Sequence, residues 1–191
     1  MSKKISIVYH SGFGHTEKVA KAVAEGVKNA GASVDLIKAE SVSDKDWETL
    51  DSSDAIIFGA PTYMGGVSGQ FKMFIDAASK KWFGQKWKNK IAAGFTNSGS
   101  YSGDKLGALI QLNINALQHG MIWVGQGEMP ASHKEGDGGP GNDAINRLGS
   151  AVGLMTQSTN ESPEITPPQG DIETAKLFGK RIAEITARFK N

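Results

Sequence analysis

Hydrophobic positions follow two different periods along this chain, and the two periods alternate. Short apolar runs rich in branched residues predict five strands, at residues 5–9, 33–38, 55–59, 91–95 and 121–124. Apolar residues at helical spacing predict helices over residues 16–30, after Gly69, over 105–119, and from Asp171 as N-cap to the end. Since strands and helices alternate, the sequence predicts an α/β fold, a doubly wound five-stranded parallel sheet covered on both faces.

Two segments do not fit this alternation. The polar stretch around Trp47 and Leu50 is interpreted as a connection. Residues 125–170 are rich in glycine and proline and show neither period, and connections of such length are usually functional. No repeat or second domain is evident, so residues 1–191 are predicted to form one domain.

Composition narrows the possible classes of function. The chain has no cysteine, which excludes disulfides, thiolate metal sites and a cysteine nucleophile, and the formal charge of +1 gives no sign of nucleic-acid binding. His10 and His133 lack partners at metal-ligand spacing, so no metal site is assigned. No apolar run approaches the roughly 20 residues of a membrane span, and no signal segment is evident, so a cytoplasmic protein is expected.

The loop after the first strand, residues 10–16, has the composition of an anion site. It reads HSGFGHT, so backbone amides at a helix start stand beside small hydroxyl side chains and no Lys or Arg. This pattern predicts a phosphate bound by neutral donors. A dinucleotide fingerprint fits less well because Glu17 stands where the third glycine would be. The alternative is a plain tight turn with Thr16 as the helix N-cap.

Two more loops follow the third and fourth strands, at the carboxyl ends where doubly wound sheets bind ligands. The second loop, residues 61–69, contains Tyr63 and Met64, which are suited to flank an aromatic ring. Its alternative role is packing on the sheet edge. The third loop, residues 96–104, offers many donors and acceptors for the edge of a heterocycle and contains no nucleophile–base pair.

Three further side chains lie outside these loops. His119 ends a predicted helix, where a protonated histidine is favourable by itself. Trp82 and Trp87 flank a lysine-rich connection, and exposed aromatic residues beside lysines are typical of interfaces. The alternative is that both tryptophans cover the edge of the sheet.

Taken in order, these segments resemble flavodoxin-like FMN proteins, specifically the WrbA-type NAD(P)H:quinone oxidoreductases, over nearly the whole chain. The resemblance rests on an ordered set of motifs, namely Ser11-x-x-Gly14-His15-Thr16, Gly59-Ala60-Pro61-Thr62-x-x-Gly65, the Ser-Gly loop and His119-Gly120-Met121. It implies the flavodoxin strand order 2-1-3-4-5, non-covalent FMN, and NAD(P)H as electron donor.

The resemblance also implies roles for individual residues. Around the FMN phosphate it places Ser11, Gly12, Phe13, Gly14, His15 and Thr16. Along one side of the isoalloxazine it places Pro61, Thr62, Tyr63, Met64 and Gly65, although many relatives carry Arg where this chain has Tyr63. At the pyrimidine edge and ribityl chain it places Thr96, Asn97, Ser98, Gly99, Tyr101, Ser102, Gly103 and Asp104.

The same resemblance implies a catalytic residue and an assembly. His119 would orient or protonate the quinone oxygen, and Trp82 would approach the flavin of a neighbouring subunit in a homodimer or homotetramer. Residues 80–90 and part of 125–170 are therefore expected at subunit contacts.

The sequence thus predicts an FMN-dependent enzyme that transfers two electrons from NAD(P)H to quinones by a ping-pong mechanism. One alternative is a one-electron carrier flavodoxin, although such carriers are usually strongly acidic and this chain has a charge of +1. Another is a non-enzymatic FMN-binding module with a regulatory or assembly role. The role of residues 125–170 is left open.

Overall fold

A seven-stranded, mainly parallel sheet lies between two layers of helices. The computed structural model describes residues 2–131 and 139–189. The strands are β1 Lys4–Tyr9, β2 Ser33–Lys38, β3 Ala55–Tyr63, β4 Gly66–Val67, β5 Ile91–Ser98, β6 Ile122–Trp123 and β7 Leu154–Gln157. The α-helices are α1 His15–Asn29, α2 Asp44–Ser52, α3 Gly69–Ala77, α4 Ser79–Phe83, α5 Lys105–Gln118 and α6 Gln169–Arg188.

The strand order is β2-β1-β3-β5-β6, which confirms the predicted fold class and topology. The last position of the sheet is shared by two separate segments of chain. β6 pairs with the beginning of β5, where Ile91 faces Ile122, and β7 pairs with its end, from Phe95 facing Leu154 onward. The two segments together therefore line both ends of the outer edge of β5, on either side of Ala93 and Gly94.

Alternating residues of the strands supply the two cores. Ile5 and Ile7 of β1 pack under α1 and α6, whereas Val8 packs on the other face, in the core that α2, α3 and α5 cover. The backbones of α1 and α6 touch directly, because a Cβ atom on Gly179 would lie 2.0 Å from the carbonyl oxygen of Val23.

Two strands are longer than predicted. β3 continues through Pro61 to Tyr63 and turns back into β4, so the predicted second loop is partly a hairpin. Proline lacks the amide of a ladder and usually signals the end of a strand, yet Pro61 here lies opposite Asn97 of β5. β5 itself continues from Phe95 to Ser98.

Helix α2, helix α4 and strand β7 lie where no element was predicted. Helix α2 begins with a capping box, in which Ser43 and Asp46 exchange hydrogen bonds, and Leu50 is buried. The expectation that Asp171 caps the last helix is wrong. Helix α6 begins at Gln169 with Pro168 as N-cap, and the Asp171 carboxylate is buried against Arg147 at 2.7 Å.

Residues 125–170, whose role the sequence leaves open, are described only in part. Residues 132–138, including His133, lie outside the described residues, and the remainder contains β7 and the chain that leads to α6. Among the helices of the described ranges, none combines the length and the apolar character that crossing a membrane requires.

Candidate functional site

The three predicted loops meet at one pocket of about 580 Å³ at the carboxyl ends of β1, β3 and β5. Eleven of the residues predicted to bind a cofactor line it. They are Ser11, Gly12, Phe13, His15, Thr16, Pro61, Thr62, Tyr63, Asn97, Ser98 and Gly99. Since these residues come from three separate loops, the fold brings together what the sequence only placed in order.

The first loop presents backbone amides at the start of α1. Gly14 begins the helix with a φ of 89°, and the Ser11 hydroxyl oxygen accepts the amides of Gly14 and Glu17, both at 3.1 Å. The side chain that caps the helix is therefore Ser11 and not Thr16. Within the described ranges, the amides of His15 and Thr16 donate to no protein acceptor. They remain available to an anion.

The Glu17 carboxylate at this helix start does not repel an anion as strongly as its position in the sequence suggested. The Glu17 carboxylate lies 2.8 Å from Lys21 and 3.7 Å from Lys38. The hydrogen bond from Lys21, followed by the charges of both lysines, lowers the pKa of Glu17 despite some burial. Its negative charge is thus offset by two lysines.

The second loop reaches across to the first. A Cβ atom on Gly12 would lie only 2.8 Å from the Tyr63 hydroxyl, so the two loops approach closely at this point. Tyr63 is 40% exposed, and its partial burial raises the pKa of the phenol. The side chain is therefore a protonated donor at the rim. Met64 and Gly65 form the hairpin turn and do not line the pocket.

The third loop begins with polar groups that are held in place. The Asn97 side-chain oxygen accepts hydrogen bonds from the hydroxyls of Thr156 at 2.8 Å and Ser158 at 2.9 Å. Ser98 also lines the pocket, but its hydroxyl is buried against Gly103 and finds no partner in the described part of the chain.

Eight predicted cofactor-binding residues do not line the pocket. Thr96 is fully buried and bonds Thr62, and Tyr101 and Ser102 line a neighbouring cavity of about 400 Å³ with Arg147. The complete set is Gly14, Met64, Gly65, Thr96, Tyr101, Ser102, Gly103 and Asp104.

A fourth side of the pocket was not predicted. Residues 158–161 and Pro163 close it from the segment before α6. The His15 ring nitrogen Nε2 lies 2.8 Å from the carbonyl oxygen of Glu161, and a Cβ atom on Gly14 would lie 2.7 Å from Pro163. The only signal in the sequence was the length and proline content of that segment, which identify a functional loop but not its contacts.

His119 is not brought to this pocket within one chain. It directly precedes β6, at the amino ends of the strands, whereas the ligand loops lie at the carboxyl ends. Its ring is 3% exposed and stacks on Trp87 with a centroid distance of 4.5 Å. Burial lowers the pKa of His119, so its ring is mainly neutral at physiological pH.

The two tryptophans of the lysine-rich connection differ in environment. Trp87 is fully buried, so the expectation that it is exposed at an interface is wrong, and its indole N–H donates to Asp51 at 2.9 Å. Trp82 is 47% exposed on α4, next to the more exposed Phe83. Helix α4 leads into β5 at the amino ends of the strands, so Trp82 does not reach this pocket within one chain.

The chain matches known proteins along most of its length. Residues 9–136 match the family described as NADPH-dependent FMN reductase. The flavodoxin FldP of Pseudomonas aeruginosa is 44% identical over 97% of each chain. An NAD(P)H dehydrogenase (quinone) of Archaeoglobus fulgidus is 30% identical over 97% of this chain and 98% of the relative.

Solved structures agree with these matches. The flavodoxin, WrbA-like protein from Agrobacterium tumefaciens has a TM-score of 0.77 and 43% identity, and the match covers 99% of this chain and 100% of that one. Flavodoxin 1 from Bacillus cereus has a TM-score of 0.66 at 20% identity, covering 95% of this chain and 98% of that one. The second likeness concerns the fold alone.

Proposed function

Because the chain belongs to the NADPH-dependent FMN reductase family, we propose that it binds FMN between its three loops and transfers two electrons from NAD(P)H to a quinone. Membership confirms the WrbA-type resemblance recognised in the sequence and the cofactors, FMN and NAD(P)H, that this resemblance implies. The observation that carries the proposal is the pocket itself, which joins unpaired amides at the start of α1 to polar residues at the carboxyl end of β5.

The donor set of the pocket fits FMN. The amides of His15 and Thr16, with the Ser11 hydroxyl beside them, suit a single phosphate at a helix N-terminus. Pro61 and Tyr63 border the space where a flat ring system would lie.

When bound, FMN supplies the redox chemistry, because it accepts a hydride from a nicotinamide and passes two electrons to an acceptor. The residues of this chain hold and orient it. The Tyr63 phenol stands 40% exposed at the rim and is placed to donate a hydrogen bond to a substrate carbonyl. Any role of His119 or Trp82 at a flavin would require a neighbouring subunit.

We expect ping-pong turnover, because one pocket must receive both NAD(P)H and the quinone in succession. The chromophore released by heat should have the mass of FMN. Double-reciprocal plots of NAD(P)H oxidation at several quinone concentrations should then give parallel lines. A protein that cannot be loaded with FMN would contradict the cofactor, and intersecting lines with every acceptor would indicate a separate nicotinamide site.

A second candidate function is that of a flavodoxin carrier, which the 44% identity to the Pseudomonas aeruginosa flavodoxin favours. The net charge of this chain argues against a carrier, since a formal charge of +1 provides little electrostatic steering toward basic partners. The loaded protein distinguishes the two. A carrier would require a separate reductase before it oxidises NAD(P)H, whereas the proposed enzyme oxidises NAD(P)H alone when a quinone is present.

We further propose that the active unit is a homo-oligomer that uses helix α5. One face of α5 is apolar and 39–55% exposed along its whole length, at Leu106, Ile110, Ile114 and Leu117. An exposed apolar stripe of this length is unusual on a monomer and suits an identical stripe on a second copy.

The substitution Ile114→Glu should therefore dissociate the assembly, because it places a charge in the middle of the apolar face. Light scattering should give a monomer for this variant and a dimer or tetramer for the wild type. Lys28→Glu, on the exposed side of α1, is the matched control and should leave the mass unchanged. A wild-type protein that scatters as a monomer would overturn the proposal.

A further inference from the structure

Lys105 is a buried cation that binds backbone carbonyl groups of the third loop. It is the first residue of α5 and is fully buried. Its ammonium group donates to three consecutive carbonyl oxygens, those of Ser100 at 2.5 Å, Tyr101 at 3.0 Å and Ser102 at 3.4 Å. One side chain therefore fixes the orientation of three successive peptide groups.

The direction of these carbonyls determines the direction of the amides. In a trans peptide the C=O and the N–H point to opposite sides. When the carbonyls of residues 100–102 turn toward the ammonium, the N–H groups of Tyr101, Ser102 and Gly103 turn away from it. In the described ranges none of these three amides donates to a protein acceptor. The loop thus presents a row of unpaired donors that follows directly on Gly99, the last residue of this loop that lines the pocket.

The same loop is tied on its other side to β7. The Gln157 side chain donates to the carbonyl oxygen of Gly99 at 2.9 Å and accepts from Arg147 at 3.0 Å. Arg147 is in turn paired with Asp171 of α6. The loop therefore spans two fixed supports, Lys105 at one end and the Gln157 side chain at the other.

We propose that Lys105 is a positioning residue for the flavin, which orients the peptide groups of residues 100–103 so that their N–H groups can bind an electron-rich ring edge. The inference rests on the proposed FMN function and adds a residue that does not line the pocket. The three N–H donors of this ammonium group all bind carbonyl oxygens of one loop, so the position of the side chain and the orientation of the loop depend on each other.

Burial makes the hydrogen bonds from Lys105 to the third loop dependent on pH. Burial lowers the pKa of Lys105 to about 8, an effect that Arg147 increases and Asp171 opposes. These two are the charged groups that act on it from the neighbouring segment and from α6. Below this pKa the ammonium binds all three carbonyls, and above it the neutral amine donates fewer and weaker hydrogen bonds. The orientation of the loop should therefore relax as the pH rises through about 8.

Lys105→Met tests the inference, with Lys90→Met as the matched control. Lys90 is another partly buried lysine that donates to backbone carbonyls, those of Asp51 and Ser53, but at the amino edge of the sheet. The apoproteins are titrated with FMN and with riboflavin, and their thermal unfolding is followed in parallel. Lys105→Met should weaken both ligands about 10- to 100-fold, the range expected for lost charged hydrogen bonds. Lys90→Met should leave both affinities unchanged within about twofold, whatever it does to stability.

Ser11→Ala distinguishes binding of the flavin ring from binding of the phosphate, since it should weaken the affinity for FMN and not that for riboflavin. Wild-type affinity for riboflavin should also fall between about pH 7 and pH 9, and that of Lys105→Met should not. Unchanged FMN and riboflavin affinities in Lys105→Met overturn the inference, as does a loss confined to FMN. If that variant does not fold, a constant wild-type affinity over the same pH interval overturns it. A wild type that binds neither ligand contradicts the proposed function itself and the inference with it.

Discussion

We expect Trp87→Ala to lower the free energy of unfolding by about 3–5 kcal/mol, the usual cost of removing a fully buried large aromatic side chain. The ring packs among Trp47, Phe58 and Phe74, with centroid distances of 6.3–6.5 Å, and stacks on His119. Alanine leaves a cavity there and removes the indole donor of Asp51. Urea unfolding of the apoprotein, followed by circular dichroism, measures the loss.

Trp82→Ala is the control for this prediction. Its side chain is half-exposed, so the same chemical change should alter the unfolding free energy of the subunit by no more than about 0.5 kcal/mol. If Trp82 contributes to a subunit contact, this variant should instead change the mass seen by light scattering. Equal losses of stability in the two variants would show that Trp87 is not the centre of this core.

The second large effect is expected at the ion pair between Arg147 and Asp171. Each side chain is 2% exposed, and Arg147 lies 2.7 Å from the carboxylate. Asp171→Ala should cost about 3–5 kcal/mol, because it leaves a buried guanidinium without its counter-charge. The variant also removes the acceptor of the Gln157 amide. Chemical unfolding at neutral pH measures the change.

The double variant Arg147→Met, Asp171→Leu should recover most of this loss. Burial raises the pKa of Asp171 although the bonds from Arg147 and Gln157 lower it, so the charged carboxylate carries a desolvation cost. Replacing both partners by apolar residues removes that cost. The exposed pair of Lys72 and Asp76 is the comparison, and Asp76→Ala should change stability by less than about 0.5 kcal/mol. A double variant as unstable as Asp171→Ala would contradict this account.

The elements that were predictable are those whose own residues determine them. β2 has the predicted bounds, and β1 differs only by including Lys4, because branched apolar residues alternate over a short run. α1 and α5 lie within one residue of the predicted ranges. Their order and the glycine-rich loops between them were enough to identify the family and the edge of the sheet that carries the ligand.

The elements that were missed depend on distant partners. β7 is four residues long and exists because Phe95 to Ser98 of β5 offer it a ladder. α2 has few apolar residues, and its start is visible only as the capping box of Ser43 and Asp46. Short polar segments of this kind acquire their structure from tertiary contacts, which local periodicity does not contain.

The residues of the site also divide into those that the sequence could predict and those that it could not. Loop composition located Ser11 to Thr16 and Asn97 to Gly99, because small polar residues beside glycine suit ligand binding wherever they occur. The wall formed by residues 158–161 could not be located, since nothing local relates it to α1. The sequence also could not show that His119 lies away from this pocket within one chain, so its role stays a prediction that requires a neighbouring subunit. A motif gives a residue's place in the chain, but the topology decides at which end of the sheet it lies.

The direct backbone contact between α1 and α6 has a consequence for the order in which the protein matures. The glycine-rich loop before α1 leaves the ribosome early, at about 5–20 residues per second. Its supports are made later, because Pro163, which packs on Gly14, and α6, which carries Gly179, follow it in the sequence. We therefore expect a chain that stops before Pro163 to bind FMN weakly, and such a chain should be colourless when it is purified.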